Sequence, residues 1–202
     1  EILYCATLTD NDAERLKIYD TAARIYPNDY RTWNNLGVVQ YETGDYKAAQ
    51  ANFQKALSLN ANCAEAKMNM GLISVLDKDL TKANQYFGQA AGADGLNDAL
   101  GIYYLKMGDN ASAARAFGDS KTNNAALAQI LTKDYSKAKN TLAAISKPDA
   151  TTYYLMAVLG ARTNNESMVT SNLKKAVSLD PSMAKLAAED LEFANFNVSS
   201  IK

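Results

Sequence analysis

Four columns of residues recur along this 202-residue chain at one shared set of intervals, and that coincidence narrows the possible folds more than any other feature. The first column is small: Gly37, Gly71, Gly101, Ala126 and Ala157. Twelve residues after each comes a second small or short side chain, at Ala49, Ala83, Ala113, Ala138 and Val169. A bulky apolar column runs Phe53, Phe87, Phe117, Leu142 and Leu173, and a fourth runs Ala56, Ala90, Ser120, Ile145 and Ala176. The steps are 34, 30, 25 and 31 residues in every column. Independent positions share such spacing when one structural unit is repeated.

The unit is a helix pair. Around the first small residue, apolar side chains fall at helical spacing, as in Trp33, Leu36, Gly37 and Tyr41. The pattern breaks seven residues later, at Thr43-Gly44-Asp45, Asp77-Lys78-Asp79, Met107-Gly108-Asp109, Thr132-Lys133-Asp134 and Asn164-Asn165. Gly44 and Gly108 suit the left-handed residue that follows a helix, and the next Asp or Asn can cap a second helix. So short a turn makes the hairpin antiparallel. Gly37 and Ala49 are expected to face one another so that the two backbones approach closely, with Phe53 filling the groove beside them. A single hairpin leaves one face uncovered, so the units must stack into an all-α solenoid with a concave and a convex side.

Composition agrees and removes several alternatives. Three prolines and ten glycines leave long stretches free for helix. The 48% apolar content supports a sizeable core. Net charge is -1, with acids and bases interleaved, so no basic field exists to attract nucleic acid. Histidine is absent, which removes the commonest general base and metal ligand; no enzyme activity, metal or cofactor is expected. Cys5 and Cys63 are too few and too far apart for a disulfide framework or a CxxC site, and are expected as free thiols. No apolar run approaches the roughly 20 residues of a membrane-spanning helix. The chain opens on Glu1-Ile2-Leu3-Tyr4-Cys5 with no initiator Met and no signal pattern, and reads as a piece of a longer or processed protein.

The segment RTWNNLGVVQYETGDYKAAQANFQKALSLNAN, residues 31–62, resembles a tetratricopeptide repeat through Trp33, Leu36, Gly37, Tyr41, Gly44-Asp45-Tyr46, Ala49, Phe53 and Ala56. Pro27 and Pro181 stand where that family places its inter-repeat proline. The resemblance implies one all-α, right-handed superhelical solenoid domain over 1–202: a partial repeat at 1–28, repeats at about 29–62, 63–94, 95–120, 121–147 and 148–181, and a cap helix over 182–196. The 30-residue step implies a clipped helix end between Ala91 and Gly95, and the 25-residue step a short first helix around Asn124 to Leu131. The cap helix is expected to turn Met183, Leu186, Ala187, Leu191 and Ala194 inward. More loosely, YPNDYRTWNNLG, NNAALAQIL, GARTNN and DLEFANF resemble arrays of OmpA-like envelope proteins of Gram-negative anaerobes. That implies a periplasmic or envelope location ahead of a cytoplasmic one.

Family members usually bind a peptide or protein in the concave groove, lined by the first helix of each repeat. Carried onto this chain, the partner-binding residues are Asn34, Val38, Tyr41, Met68, Leu72, Val75, Ile102, Leu105, Tyr154 and Val158, with Glu42, Leu76, Asp98, Lys106, Leu127, Ile130, Leu131, Ala161 and Arg162 completing the lining. Contiguous apolar side chains that include Met suit an adaptable partner contact; the alternative is that the chain covers them itself. Asn34, Val38 and Met68 disfavour the mode in which Lys and Asn clamp a C-terminal carboxylate. Two further readings stay open: self-association through the end around Ile2 to Tyr4, and a glycan site built on the twelve tyrosines. Tyr46 and Tyr86 are instead expected in helix packing, and Glu189, Asp190 and Glu192 on a solvated face. Phe53→Ala should cost about 3–5 kcal/mol and Gly37→Leu about 1–3 kcal/mol in chemical denaturation, through a cavity and an overpacked contact respectively.

Overall fold

The computed structural model describes residues 8–198 and Ile201. Among them there are twelve α-helices, one short 3-10 helix near the C-terminus and no strand. They are α1 (Asp12–Ile25), α2 (Tyr30–Glu42), α3 (Tyr46–Leu59), α4 (Ala64–Leu76), α5 (Leu80–Gly88), α6 (Leu96–Met107), α7 (Asn110–Phe117), α8 (Asn123–Leu131), α9 (Tyr135–Ala143), α10 (Ala150–Arg162), α11 (Glu166–Leu179) and α12 (Met183–Glu189). The chain divides into two compact units between Ala99 and Leu100. The first holds α1 and the hairpins α2/α3 and α4/α5. The second holds most of α6, then α7, the hairpins α8/α9 and α10/α11, and α12. Residues Ile2 to Cys5 lie outside the described part.

Each hairpin closes through the same turn. The residue seven after the small column has positive φ in all five: 86° at Gly44, 60° at Lys78, 80° at Gly108, 65° at Lys133 and 53° at Asn164. This lets the following residue's N–H reach back to a helix carbonyl, Asp45 to Gln40 at 2.8 Å and Asp134 to Gln129 at 2.8 Å. The same Asp then caps the next helix. Asp45, Asp79, Asp109 and Asp134 each accept the N–H three residues on, and Asn165 does so from Met168. Lys78, Lys133 and Asn164 hold a conformation that costs an L-residue energy and that glycine adopts freely.

The predicted Gly37–Ala49 contact needs refinement. Gly37 lies under the ring of Phe53: a methyl group added there would sit 2.7 Å from Phe53 Cε1, with the Ala49 carbonyl oxygen at 3.2 Å. Gly71 under Phe87 and Gly101 under Phe117 repeat the arrangement, at 2.5 and 2.6 Å. In the last two hairpins the same columns carry Ala126 with Leu142 and Ala157 with Leu173, all four buried in one core. A smaller partner has allowed a methyl back. The two columns thus share one volume.

The short intervals are absorbed in helix ends. Helix α5 has 9 residues where α3 has 14, and Gly92 and Gly95, both at positive φ, lead into α6. The 25-residue step shortens α8 to 9 residues, and also α7 to 8. At the C-terminus the expected helix over 182–196 is cut at Glu189 and followed by a 3-10 turn, Leu191–Phe193. The predicted inward stripe is correspondingly different: Ala187 and Phe193 are buried, while Leu186, Leu191 and Ala194 are exposed. The helix ends where Asp190 takes an extended backbone and its Oδ1 accepts the Glu192 N–H, capping the 3-10 turn.

Glycine at position 133 removes the left-handed strain without touching a packed side chain. Lys133→Gly should raise stability by about 1 kcal/mol in urea denaturation, whereas the same change at the helical Lys137 should lower it by about 1 kcal/mol.

Candidate partner-binding site

In the first unit, the predicted lining residues project from one face of α2 and α4, at positions spaced by three or four residues. Val38 and Tyr41 are partly exposed and rest on the buried core of Ala49, Phe53, Met70 and Ile73. Met68 and Leu72 are also partly exposed, and Leu76 is exposed. Val75 is buried. Tyr46, expected in the core, is 46% exposed and lies edge-on to Tyr41, with ring centroids 5.3 Å apart. Burial, and secondarily Tyr46, raises the Tyr41 hydroxyl above its ordinary pKa.

The polar end of this face is ordered by asparagines. Asn34 is buried, and its Oδ1 accepts a hydrogen bond from Asn69 Nδ2 at 3.1 Å, which ties α2 to α4. Beside it lies a cleft of about 290 Å³ between Tyr30, Arg31, Asn34, Asn35, Cys63 and Glu65. Arg31 is already paired with Asp29 at 2.6 Å. Burial pushes the Cys63 thiol up, and the nearby Glu65 carboxylate, with Cys63 Sγ to Oε2 at 3.6 Å, works in the same direction, so the thiol is poorly suited to nucleophilic chemistry. Glu42, at the border of the face, pairs with Arg15 of α1 at 2.8 Å.

In the second unit the predicted residues divide. Ile102 and Leu105 are partly exposed over the core of Ala113, Phe117, Ala125 and Ala128. Tyr154 and Val158, by contrast, are buried in the core of the second unit, and the C-terminal segment lies across Tyr154. Tyr154 donates its hydroxyl to Asp190 Oδ2 at 2.5 Å, and its ring meets Phe193 edge-on with centroids 5.6 Å apart. Arg162 donates from Nε to Glu192 Oε2 at 2.6 Å and from a second guanidinium nitrogen to Glu192 Oε1. Asp190 and Glu192 therefore do not form the solvated face expected of them, and only Glu189 of that trio is exposed. Burial and the Asp190 carboxylate both raise the Tyr154 hydroxyl pKa, so it remains a donor.

Among the described residues no group of three His, Cys, Asp or Glu could hold a metal ion, and no helix is long and apolar enough to cross a membrane. What the exposed faces can do is present apolar side chains and a few amides to another polypeptide. The Asn34–Asn69 pair carries a direct expectation. Asn69→Leu strands a buried acceptor and should cost about 1–3 kcal/mol, while Asn34→Leu combined with Asn69→Leu should cost clearly less than the two singles together, as read in a denaturation double-mutant cycle.

Residues 30–63 match the model of the tetratricopeptide repeat. Cellulose synthase 1 operon protein C of Komagataeibacter xylinus is 30% identical over 112 residues, which cover 55% of this chain and 8% of that protein. This chain thus spans under a tenth of that relative's length. A tetratricopeptide repeat protein from Parabacteroides merdae superposes with a TM-score of 0.64 at 17% identity, covering 87% of this chain and 76% of that one. A chain of the anaphase-promoting-complex hetero-tetramer Cut9–Hcn1 superposes with a TM-score of 0.76 at 16% identity, covering 89% of this chain and 40% of its own. With its repeated helix pairs and the match at residues 30–63, this is a tetratricopeptide-repeat fold, the fold of proteins that generally mediate protein–protein interaction.

Proposed function

We propose that this chain is a non-catalytic scaffold that holds a peptide or protein domain on the first-helix faces of its hairpins, as part of a larger envelope protein. The observation that carries the reading is selective exposure. The first three repeated columns beneath are buried throughout, yet Val38, Tyr41, Met68 and Leu72 in one unit, and Ile102 and Leu105 in the other, keep apolar area open to solvent. Clustered apolar side chains of this kind gain from being covered by a partner. The reading of residues 1–202 as one array of repeats belongs to the same proposal, as does the envelope location, which rests on the resemblance of several sequence phrases. The absence of histidine and the raised thiol pKa of Cys63 support a non-catalytic role.

The test treats the two faces separately. Leu72→Asp and Ile102→Asp variants, each checked for unchanged helical circular dichroism, are compared with the unmodified chain in pull-downs from native extract read by mass spectrometry. A discrete protein retained by the unmodified chain should be lost, by tenfold or more, from at least one variant. Identical retention by all three would sink the assignment of these faces.

A further inference from the structure

The first-helix face of the last hairpin is covered by the chain's own C-terminal segment. Tyr154, Val158 and Arg162 are spaced by four residues and form one stripe on α10. They occupy the positions that Asn34, Val38 and Glu42 hold on α2, and Met68, Leu72 and Leu76 on α4. On α10 the two polar ends of the stripe are met by the chain's own turn: Asp190 on the Tyr154 hydroxyl, Glu192 on the Arg162 guanidinium, and Phe193 against the Tyr154 ring. Phe193 is 1% exposed, whereas Leu191, between the two acids, is 88% exposed. Beyond the turn, Val198 and Ile201 pack on the same core.

A helix that merely closes the end of a repeat array needs an apolar face against the last hairpin. Here α12 supplies that in its seven residues, packing on α11, and then stops. The turn that follows adds a different chemistry. The two-pronged Arg162–Glu192 pair, partly open to water, adds little to folding but fixes register, while the Asp190 carboxylate is held by the hydroxyl of a buried tyrosine. Acid, outward Leu, acid and buried Phe alternate along this turn, and Asp190 Oδ1 also accepts the Glu192 N–H within it.

We propose that Tyr154, Val158 and Arg162 form a recognition site for an acidic–x–acidic–Phe segment, and that Asp190-Leu191-Glu192-Phe193 of this same chain occupies it as a tethered ligand. Tethering gives the segment an effective concentration in the millimolar range, so a free peptide with an intrinsic Kd of about 1 μM would bind the closed site roughly a thousandfold more weakly. The last hairpin is thereby withheld from any polypeptide that cannot displace the turn. This inference does not depend on the faces of α2, α4 and α6 being binding sites, and its test leaves Leu72 and Ile102 untouched.

The probe is a fluorescein-labelled synthetic peptide with the sequence of residues 187–202, titrated by anisotropy into the full chain. An opened variant, Glu192→Ala with Phe193→Ala, should bind it at least tenfold more tightly than the unmodified chain does. Adding Arg162→Glu to the opened variant should abolish binding, and a peptide carrying Glu192→Arg should restore it. Equal binding to the closed and opened chains, or none to an opened chain whose helical circular dichroism is intact, would overturn the proposal. Should the double variant fail to fold, Glu192→Lys alone is followed by hydrogen exchange. Faster exchange in residues 190–198 with α10 unchanged supports a displaceable ligand; loss of protection through α10 and α11 makes the turn part of the fold and overturns it.

Discussion

The contact on which every hairpin depends is a side chain of one helix lying over a missing or minimal side chain of the other. In three hairpins it is a phenylalanine ring over glycine, at a distance that leaves no room for a methyl group. Burial of the ring is worth several times the roughly 1 kcal/mol that a mid-helix glycine costs in backbone entropy, so the exchange is favourable. Where the ring is replaced by leucine, at Leu142 and Leu173, glycine is replaced by alanine. Helix propensity is thus recovered where the packing permits it.

The turns show the same trade in reverse. One left-handed residue is required between the two helices of each pair, and the chain fills that place with glycine twice and with Lys or Asn three times. Lys78 and Lys133 accept local strain because the turn around them is over-determined: the following Asp both closes the first helix and caps the second. A strained residue is tolerable when each neighbouring hydrogen bond would be lost by relaxing it. The shortened helices α5, α7, α8 and α9 make a related point. Trimming a helix end removes solvent-facing turns and leaves the paired columns in place, so the repeat length varies while the hairpin does not.

With the cores sealed in this way, the surface of the first helices is what remains to differ between hairpins, and here it differs in kind. The faces of α2 and α4 carry apolar side chains beside a buried pair of asparagines. The face of α10 carries a tyrosine and an arginine already matched to an aromatic and two carboxylates of the same chain. One fold therefore offers an open apolar surface and a closed, chemically selective one.

The hairpins, their turns and their cores were legible in the sequence because they rest on contacts between residues 12 to 16 positions apart, whose spacing survives as columns. The glycine and phenylalanine columns were both visible as well, but that the ring lies directly over the glycine is a matter of angle, which spacing does not carry. Positive φ at Lys78, Lys133 and Asn164 could have been read by analogy with Gly44 and Gly108, since all five stand seven residues after the small column. The fate of the C-terminus was not legible. Leu186, Leu191 and Ala194 have the spacing of a buried stripe, and only the tertiary structure places Asp190 and Glu192 against Tyr154 and Arg162, 36 and 30 residues away. Local periodicity determines which residues can share a helix face; which of several amphipathic solutions wins at a chain end is decided by long-range polar partners that a one-dimensional pattern does not contain.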